Sequence, residues 1–177
     1  RRAITEEIFG EHALPIFGPV PPALAEYSSS TYKDVHSSSA EAKALLAKQG
    51  WRIGQDGVQA RTVGKTTQRL DLELTTPDIP FLVATAEAIK TAWQEIGVKV
   101  TVKVIAPEII EQETIRPRTY QILLFGNILR ANSDLYAFWH SSQRFQPGLN
   151  LALYENKNVD KLIESARSTF EEATRKE

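Results

Sequence analysis

The sequence predicts an α/β fold: a mixed, mostly parallel sheet flanked by helices. Three features carry this reading. Leu70, Leu72 and Leu74 alternate with Arg69, Asp71, Glu73 and Thr75, the period-two pattern of a strand with one buried face. Leu82, Ala86, Ile89 and Trp93 follow at spacings of four, three and four, and so share one face of a helix. Val98, Val100, Val102 and Val104 then alternate with Lys99, Thr101 and Lys103 as a second strand. Two strands joined by one helix are expected to lie parallel with a right-handed crossover.

The punctuation agrees with the pattern. Thr76-Pro77-Asp78 is expected to end the first strand, with Asp78 or a neighbour capping the helix and Pro80 in its first turn. Gly97 stands where a helix end needs a left-handed residue.

Before this unit, Ile4, Ile8 and Phe9 lie on one face of a short helix stopped by Gly10. Residues 11–38 lack periodicity, and Pro15, Gly18, Pro19, Pro21 and Pro22 make a stiff extended loop, most simply a surface connector. Ser38 and Glu41 form a capping-box pattern ahead of a helix with Ala42, Leu45 and Leu46 inward, ending at Gly50. Trp51, Ile53 and Val58 flank Asp56-Gly57, a hairpin-type turn.

After the unit, Pro107 starts a short helix with Ile109, Ile110 and Ile115 as its apolar positions. Tyr120–Gly126 is a near-continuous apolar run of the kind that suits a central strand covered on both faces. Asn127–Ser133 is the loop leaving it, and Asp134 caps a helical turn bearing Leu135, Phe138 and Trp139. Gln146-Pro147-Gly148 is a turn and Asn150–Tyr154 a short extended piece. Asn158 is expected to cap a last helix with Val159, Leu162, Ile163, Ala166 and Phe170 toward the core.

Composition narrows the function. A chain of 177 residues is long enough for one domain that buries roughly 70% of its unfolded surface. No apolar run approaches the ~18 residues of a membrane-spanning helix. Net charge is −1, from 21 basic and 22 acidic residues in no segregated block, so a nucleic-acid partner is not expected. Without cysteine there is no disulfide framework, thiolate nucleophile or cysteine-based zinc site, and compartment stays open. The chain also lacks methionine and opens at Arg1-Arg2-Ala3-Ile4, which reads as the interior of a helix. An excised domain is expected, its targeting signal encoded elsewhere.

Catalytic and phosphate signatures fail. There is no GxGxxG after either strand, no GK[ST] and no GxSxG. His12, His36 and His140 are far apart in sequence and read as exposed or locally bonded residues, not as metal ligands. Glu108, Glu111 and Glu113 read as a solvated face, and nothing marks a catalytic pair of carboxylates. No enzyme activity and no cofactor are expected.

The loop after the apolar strand stands out, because ligands of α/β sheets gather where loops leave the C-terminal ends of strands. Asn127, Ile128, Leu129 and Arg130 mix an amide, two aliphatics and a guanidinium there. Arg130 has two readings: a fork for a ligand carboxylate, or a surface arginine answering Asp134. Trp139 likewise either stacks on a ligand or belongs to the core of its helix.

Several segments together resemble the family 5 extracellular solute-binding proteins, the peptide and oligopeptide group of ABC importer receptors. They are Gly10–Pro15 with Gly18–Pro22, Ala42–Trp51 followed by Asp56-Gly57, Ala86–Val100, Tyr120–Gly126, and Leu153–Ile163. They come in the family's order over most of the chain, although Asn127 stands where the family usually has tryptophan. The resemblance implies that residues 1–177 are a single α/β lobe, the C-terminal lobe of a bilobed, type II periplasmic-binding-protein-like fold. It also implies a peptide or other small solute held in an interlobe cleft, an N-terminal lobe of the same chain, and an ABC permease as partner. An extracytoplasmic location, with a possible lipid anchor outside this segment, goes with it. By position, it assigns solute contacts to Phe17 in the proline-rich loop and to Asn127, Ile128, Leu129 and Arg130, with Asp134 and Trp139 beside them.

The alternative is a receptor-derived sensor or accessory domain that keeps this fold and contacts another protein. An export signal and a second lobe encoded with the segment distinguish the receptor from that alternative.

Overall fold

The computed structural model describes residues 1–22, 38–128 and 134–169. The chain divides into two compact units. The first is Arg1–Pro15, Val35–Ile109 and Tyr120–Phe125; the second is Ile16–Asp34, Ile110–Thr119 and Gly126–Glu177.

The first unit holds the sheets. Helix α1 (Arg2–Phe9) stops at Gly10, whose φ of 55° leaves helical space. The Phe9 ring meets Phe81 edge-on at 5.7 Å between centroids. Helix α2 (Ser39–Lys48) has the expected reciprocal cap. The Glu41 N–H donates to Ser38 Oγ at 3.1 Å, and the Ser38 N–H donates to Glu41 Oε2 at 3.0 Å. Leu46 is half-buried, but Leu45 is exposed, against the expectation that both point inward.

Strands β1 (Arg52–Ile53), β2 (Gln59–Val63) and β3 (Thr66–Arg69) form an antiparallel sheet in that order. The Asp56-Gly57 turn joins the first two as expected. The second hairpin was not anticipated. It turns at Gly64-Lys65 with Gly64 at φ 63°, the first central position where a two-residue hairpin takes glycine.

Strand β4 (Asp71–Pro77), helix α3 (Pro80–Gln94) and strand β5 (Lys99–Ile105) are the predicted strand–helix–strand unit, with the strands parallel. Leu74, Ala86, Val98 and Val100 form the buried cluster, with Leu72, Ile89 and Trp93 packed against it. Burying a side chain such as Leu74 contributes about 1.5–3 kcal/mol. On the other side of the pleat, Lys99 pairs with Asp71 at 2.8 Å and Lys103 with Glu73 at 3.5 Å.

Three boundaries differ from the sequence expectation. Leu70 belongs to neither β3 nor β4: its N–H donates to the Gln59 carbonyl, while its own carbonyl accepts from the Lys99 N–H. That bridging residue ties the antiparallel sheet to the parallel one. The strand also continues through Thr76 and Pro77, because the Asp78 N–H, not the missing proline one, donates to Ile105. Helix α3 has Pro80 at its start as expected, but its N-cap is Ile79, with no side-chain cap from Asp78. Val104 is exposed, so the valine alternation loses its buried face at the end of β5.

Strand β6 (Ile122–Leu123) pairs parallel with β4, giving the order β5-β4-β6. The apolar run was expected to be a central strand. Among the described residues β4 is the central strand and β6 lies at the edge, with Phe125 exposed. The double coverage appears instead in β4, where Leu74, Thr75, Thr76 and Pro77 are all buried.

The second unit is a set of short helices held by polar bonds. The chain enters this unit at Ile110, the last residue of helix α4 (Pro107–Ile110), and continues in a π turn over Glu111–Ile115. Arg118, at φ 59°, donates from its guanidinium to the carbonyls of Ile115, Arg144 and Gly148. Helix α5 (Tyr136–Trp139) precedes a single 3-10 turn over Ser141–Gln143, and helix α6 (Lys157–Ser168) follows. The cap of α6 is Asn156, not Asn158: its Oδ1 accepts from the N–H groups of Asn158 and Val159 at 3.0 and 3.3 Å. Val159, Ile163 and Ala166 are half-buried, Leu162 is exposed, and Phe170 lies outside the described residues.

Residues Asn150–Tyr154 do not form the expected extended piece. They make a turn around Asn150, which is fully buried. Its Nδ2 donates to the carbonyls of His140 and Tyr154 at 3.1 and 2.9 Å, and its Oδ1 accepts from the Tyr154 N–H at 3.0 Å. A small side chain with both donors and an acceptor can satisfy all these backbone groups at once, which explains its burial.

Candidate functional site

The candidate residues belong to the second unit, around the exit from the parallel sheet and the helices after it. The Leu124 N–H donates to the Thr75 carbonyl at 2.9 Å and continues the pairing with β4 beyond Leu123. Beyond it, Asn127 and Ile128 are exposed, and Ile128 is 91% so. Leu129 and Arg130 lie outside the described residues. Phe17 is half-buried in the run that leads to buried Val20.

Asp134 and Trp139 stand at the two ends of α5. Asp134 Oδ1 accepts from the Tyr136 N–H at 2.9 Å, so the sequence reading of it as a local cap agrees with the geometry. Its other oxygen is engaged too: Arg167 Nε on α6 lies 2.8 Å from Oδ2. Trp139 is half-buried and meets the Tyr154 ring edge-on at 6.0 Å, the core arrangement of the two readings.

A polar and aromatic chain links α5 to α6, and sequence reasoning missed it. The Arg167 guanidinium sits 4.3 Å from the centre of the Tyr136 ring. On α5, Tyr136 stacks on His140, with centroids 4.2 Å apart. The Ser142 N–H donates to His140 Nδ1 at 3.1 Å, which makes that nitrogen an acceptor. His140 Nε2 is thereby left to donate to Glu164 Oε1 at 3.2 Å. Asp160 accepts from the Ser141 N–H at 2.9 Å and from its hydroxyl at 2.6 Å. These bonds from Ser141, together with the nearby His140 and Arg144, hold the Asp160 carboxyl below its ordinary 3.8.

The signal for this chain was present in the sequence. Asp160, Glu164 and Arg167 recur at i, i+4 and i+7, one stripe of α6 beside the apolar face of Val159, Ile163 and Ala166. His140 is thus locally bonded, as expected, and is nearly buried. Among the described residues, no group of three or more histidines, cysteines or acids could hold a metal ion. None of the described helices is long and apolar enough to cross a membrane.

Known proteins share both sequence and fold with this chain. The family model for bacterial extracellular solute-binding proteins, family 5 Middle, matches residues 1–146. The oligopeptide-binding protein AppA of Bacillus subtilis is 27% identical over 136 residues, which are 72% of this chain and 23% of that protein. The structure of B. subtilis AppA in complex with a nonapeptide superposes with a TM-score of 0.81 at 22% identity, covering 99% of this chain and 34% of that one. An oligopeptide-binding protein from Thermus thermophilus, complexed with a pentapeptide, gives 0.86 at 20% identity, covering 99% and 32%. NikZ from Campylobacter jejuni, in complex with Ni(L-His), gives 0.79 at 21%, covering 99% and 34%. The chain therefore spans about a third of these solved proteins, and the architecture it shares with them is the type II periplasmic-binding-protein fold. With the family match running over most of its length, this chain belongs to the bacterial extracellular solute-binding proteins of family 5.

Proposed function

We propose that residues 1–177 are part of the C-terminal lobe of a bilobed importer receptor, which captures a peptide or another small solute between its lobes and delivers it to an ABC permease. The observation that carries this reading is the family match over residues 1–146. The fold similarity to receptors crystallised with peptides and with a nickel–histidine complex supports it. Asn127, Ile128, Leu129 and Arg130, after β6, and Phe17 supply this lobe's solute contacts, with Asp134 and Trp139 shaping the neighbouring segment. Binding shifts an open–closed equilibrium by the receptor's greater affinity for solute in the closed form. The full-length receptor works outside the cytoplasm, held at the membrane by a lipid anchor encoded outside this segment.

The test is mass spectrometry of small molecules released when the full-length protein is denatured. A stoichiometric solute is the expected result. Should none be released, a melt against a ligand panel decides, because a ligand at 100 times its Kd adds about 2.7 kcal/mol to the stability of the state it binds. Blanks in both measurements would remove the receptor reading.

A further inference from the structure

The two edge strands of the parallel sheet meet solvent differently. On β5, Lys99, Thr101 and Lys103 are exposed, and the lysines pair with Asp71 and Glu73. Charged side chains of this kind blunt an edge against a further strand. The run Tyr120–Gly126 around β6 carries no charged residue. We propose that β6 is an interior strand in the full-length receptor, its open side paired by a strand from the part of that chain outside residues 1–177. The inference rests on the proposed receptor reading and deepens it, because the rest of the protein then completes this lobe's sheet.

The backbone points outward first. The register sets Thr75 opposite Leu123, and the Leu124 N–H donates to the Thr75 carbonyl at 2.9 Å. Successive residues of a parallel strand bond alternate neighbours, so the N–H and carbonyl of Leu123 point away from β4. Among the described residues no strand pairs with β6 on that side, although Leu123 is half-buried. Backbone groups withdrawn from water are nearly always paired, and an open row of them is a template for one more strand. The side chains agree. Ile122 and Leu124 pack against the core cluster around Leu74. Leu123 and Phe125 alternate onto the opposite face, where Phe125 is exposed. A strand that is apolar on both faces and free of charge suits the middle of a parallel sheet, not its rim. The occupant follows from length and tethering. This chain spans about a third of its solved relatives, so the receptor has ample chain to supply the strand. A strand of the same chain also faces that edge at a high effective concentration, which a separate molecule does not.

The experiment takes two readings on the solute-free, full-length protein. The first is hydrogen exchange at the Leu123 amide, followed by NMR with isotope-labelled leucine and assigned through Leu123→Ile. Exchange should be slowed at least about a hundredfold relative to an unpaired amide. The second is photo-crosslinking from p-benzoylphenylalanine placed at Phe125, with the linked peptide identified by mass spectrometry. That peptide should lie outside residues 1–177 of the same molecule. Exchange as fast as that of an unpaired amide overturns the proposal, and so does protection that appears only when a solute is added. A crosslink within residues 1–177, a crosslink to a second copy, or no crosslink at all overturns it too. None of these readings depends on the solute released by denaturation, so the receptor reading stands or falls separately.

Discussion

Arg167 on α6 and Asp134 at the entry to α5 stand 33 residues apart in the chain and 2.8 Å apart in the structure. The pair closes the segment that leaves the parallel sheet onto the last described helix. Each partner has a second role, Asp134 as an acceptor for the Tyr136 N–H and Arg167 as a cation over the Tyr136 ring. Both side chains are about half exposed, so solvent screens the ion pair.

These contacts set the size of a double-mutant cycle. Arg167→Ala should cost about 1 kcal/mol, from a screened ion pair and a surface cation–π contact. Asp134→Ala should cost about 1–1.5 kcal/mol, because a local cap is lost as well. The double variant should cost less than the sum by about 0.5 kcal/mol, read from urea midpoints of the full-length protein. Strict additivity would show that the pair contributes nothing to stability.

Two hydroxyls inside β4 carry an opposite prediction. Thr75 and Thr76 are completely buried, and among the described residues neither Oγ1 has a hydrogen-bond partner. Burying an unpaired hydroxyl costs about 1–3 kcal/mol on mutational scales. Valine has nearly the same shape and suits a strand. Thr75→Val and Thr76→Val should therefore each stabilise the protein by about 1 kcal/mol in thermal or urea unfolding. A loss of stability in either variant would show that its hydroxyl has a partner after all.

What the sequence discloses follows from how local each cause is. The β4–α3–β5 unit was legible because Leu72 and Leu74, Leu82 through Trp93, and Val98 and Val100 each write their buried face into a short window. Ser38 and Glu41 were legible for the same reason, since a capping box closes within four residues. The pattern misled where apolarity reports coverage without saying by what. The run around Ile122 and Leu123 reads as a central strand, yet β4 takes that place, and its buried Thr75 and Thr76 give no hydrophobic signal. Leu45 and Leu162 obey helical spacing and are nonetheless exposed. The candidate site is long-range in its causes. Asn127 and Asp134 could be nominated from their place after a strand, whereas the partner of Asp134 comes from α6, and no local rule joins the two.

Asn150 shows how much of the second unit depends on one amide. It is fully buried and bonds three backbone groups, those of His140 and Tyr154. Asn150→Ala would strand buried backbone donors and acceptors at about 1 kcal/mol or more each, for a total of about 2–4 kcal/mol. Asn150→Asp keeps the acceptor but loses the two donor bonds and should fall close to the alanine variant. Hydrogen exchange should show the loss first at the Tyr154 amide, whose acceptor is removed only in the alanine variant.

The acid limb of stability tests the link between the 3-10 turn and α6. Asp160 is held below its ordinary 3.8, first by the Ser141 hydroxyl and then by the Ser141 N–H. A carboxyl whose folded value is depressed contributes stability that is fully present above the unfolded value. That contribution is lost as pH falls through the folded value, because only the unfolded chain then binds the proton readily. The loss from this group should therefore begin near pH 4 and deepen below it. Asp56 adds to the same limb, because Arg69 and the Val58 N–H hold its carboxyl down as well. Asp160→Asn keeps the shape and removes the titration, so its urea midpoint should lie below wild type at pH 7, and the gap should narrow as the pH falls below about 4. Parallel curves for the two proteins between pH 5 and pH 3 would mean that the Ser141 bonds do not distinguish the carboxylate from the acid.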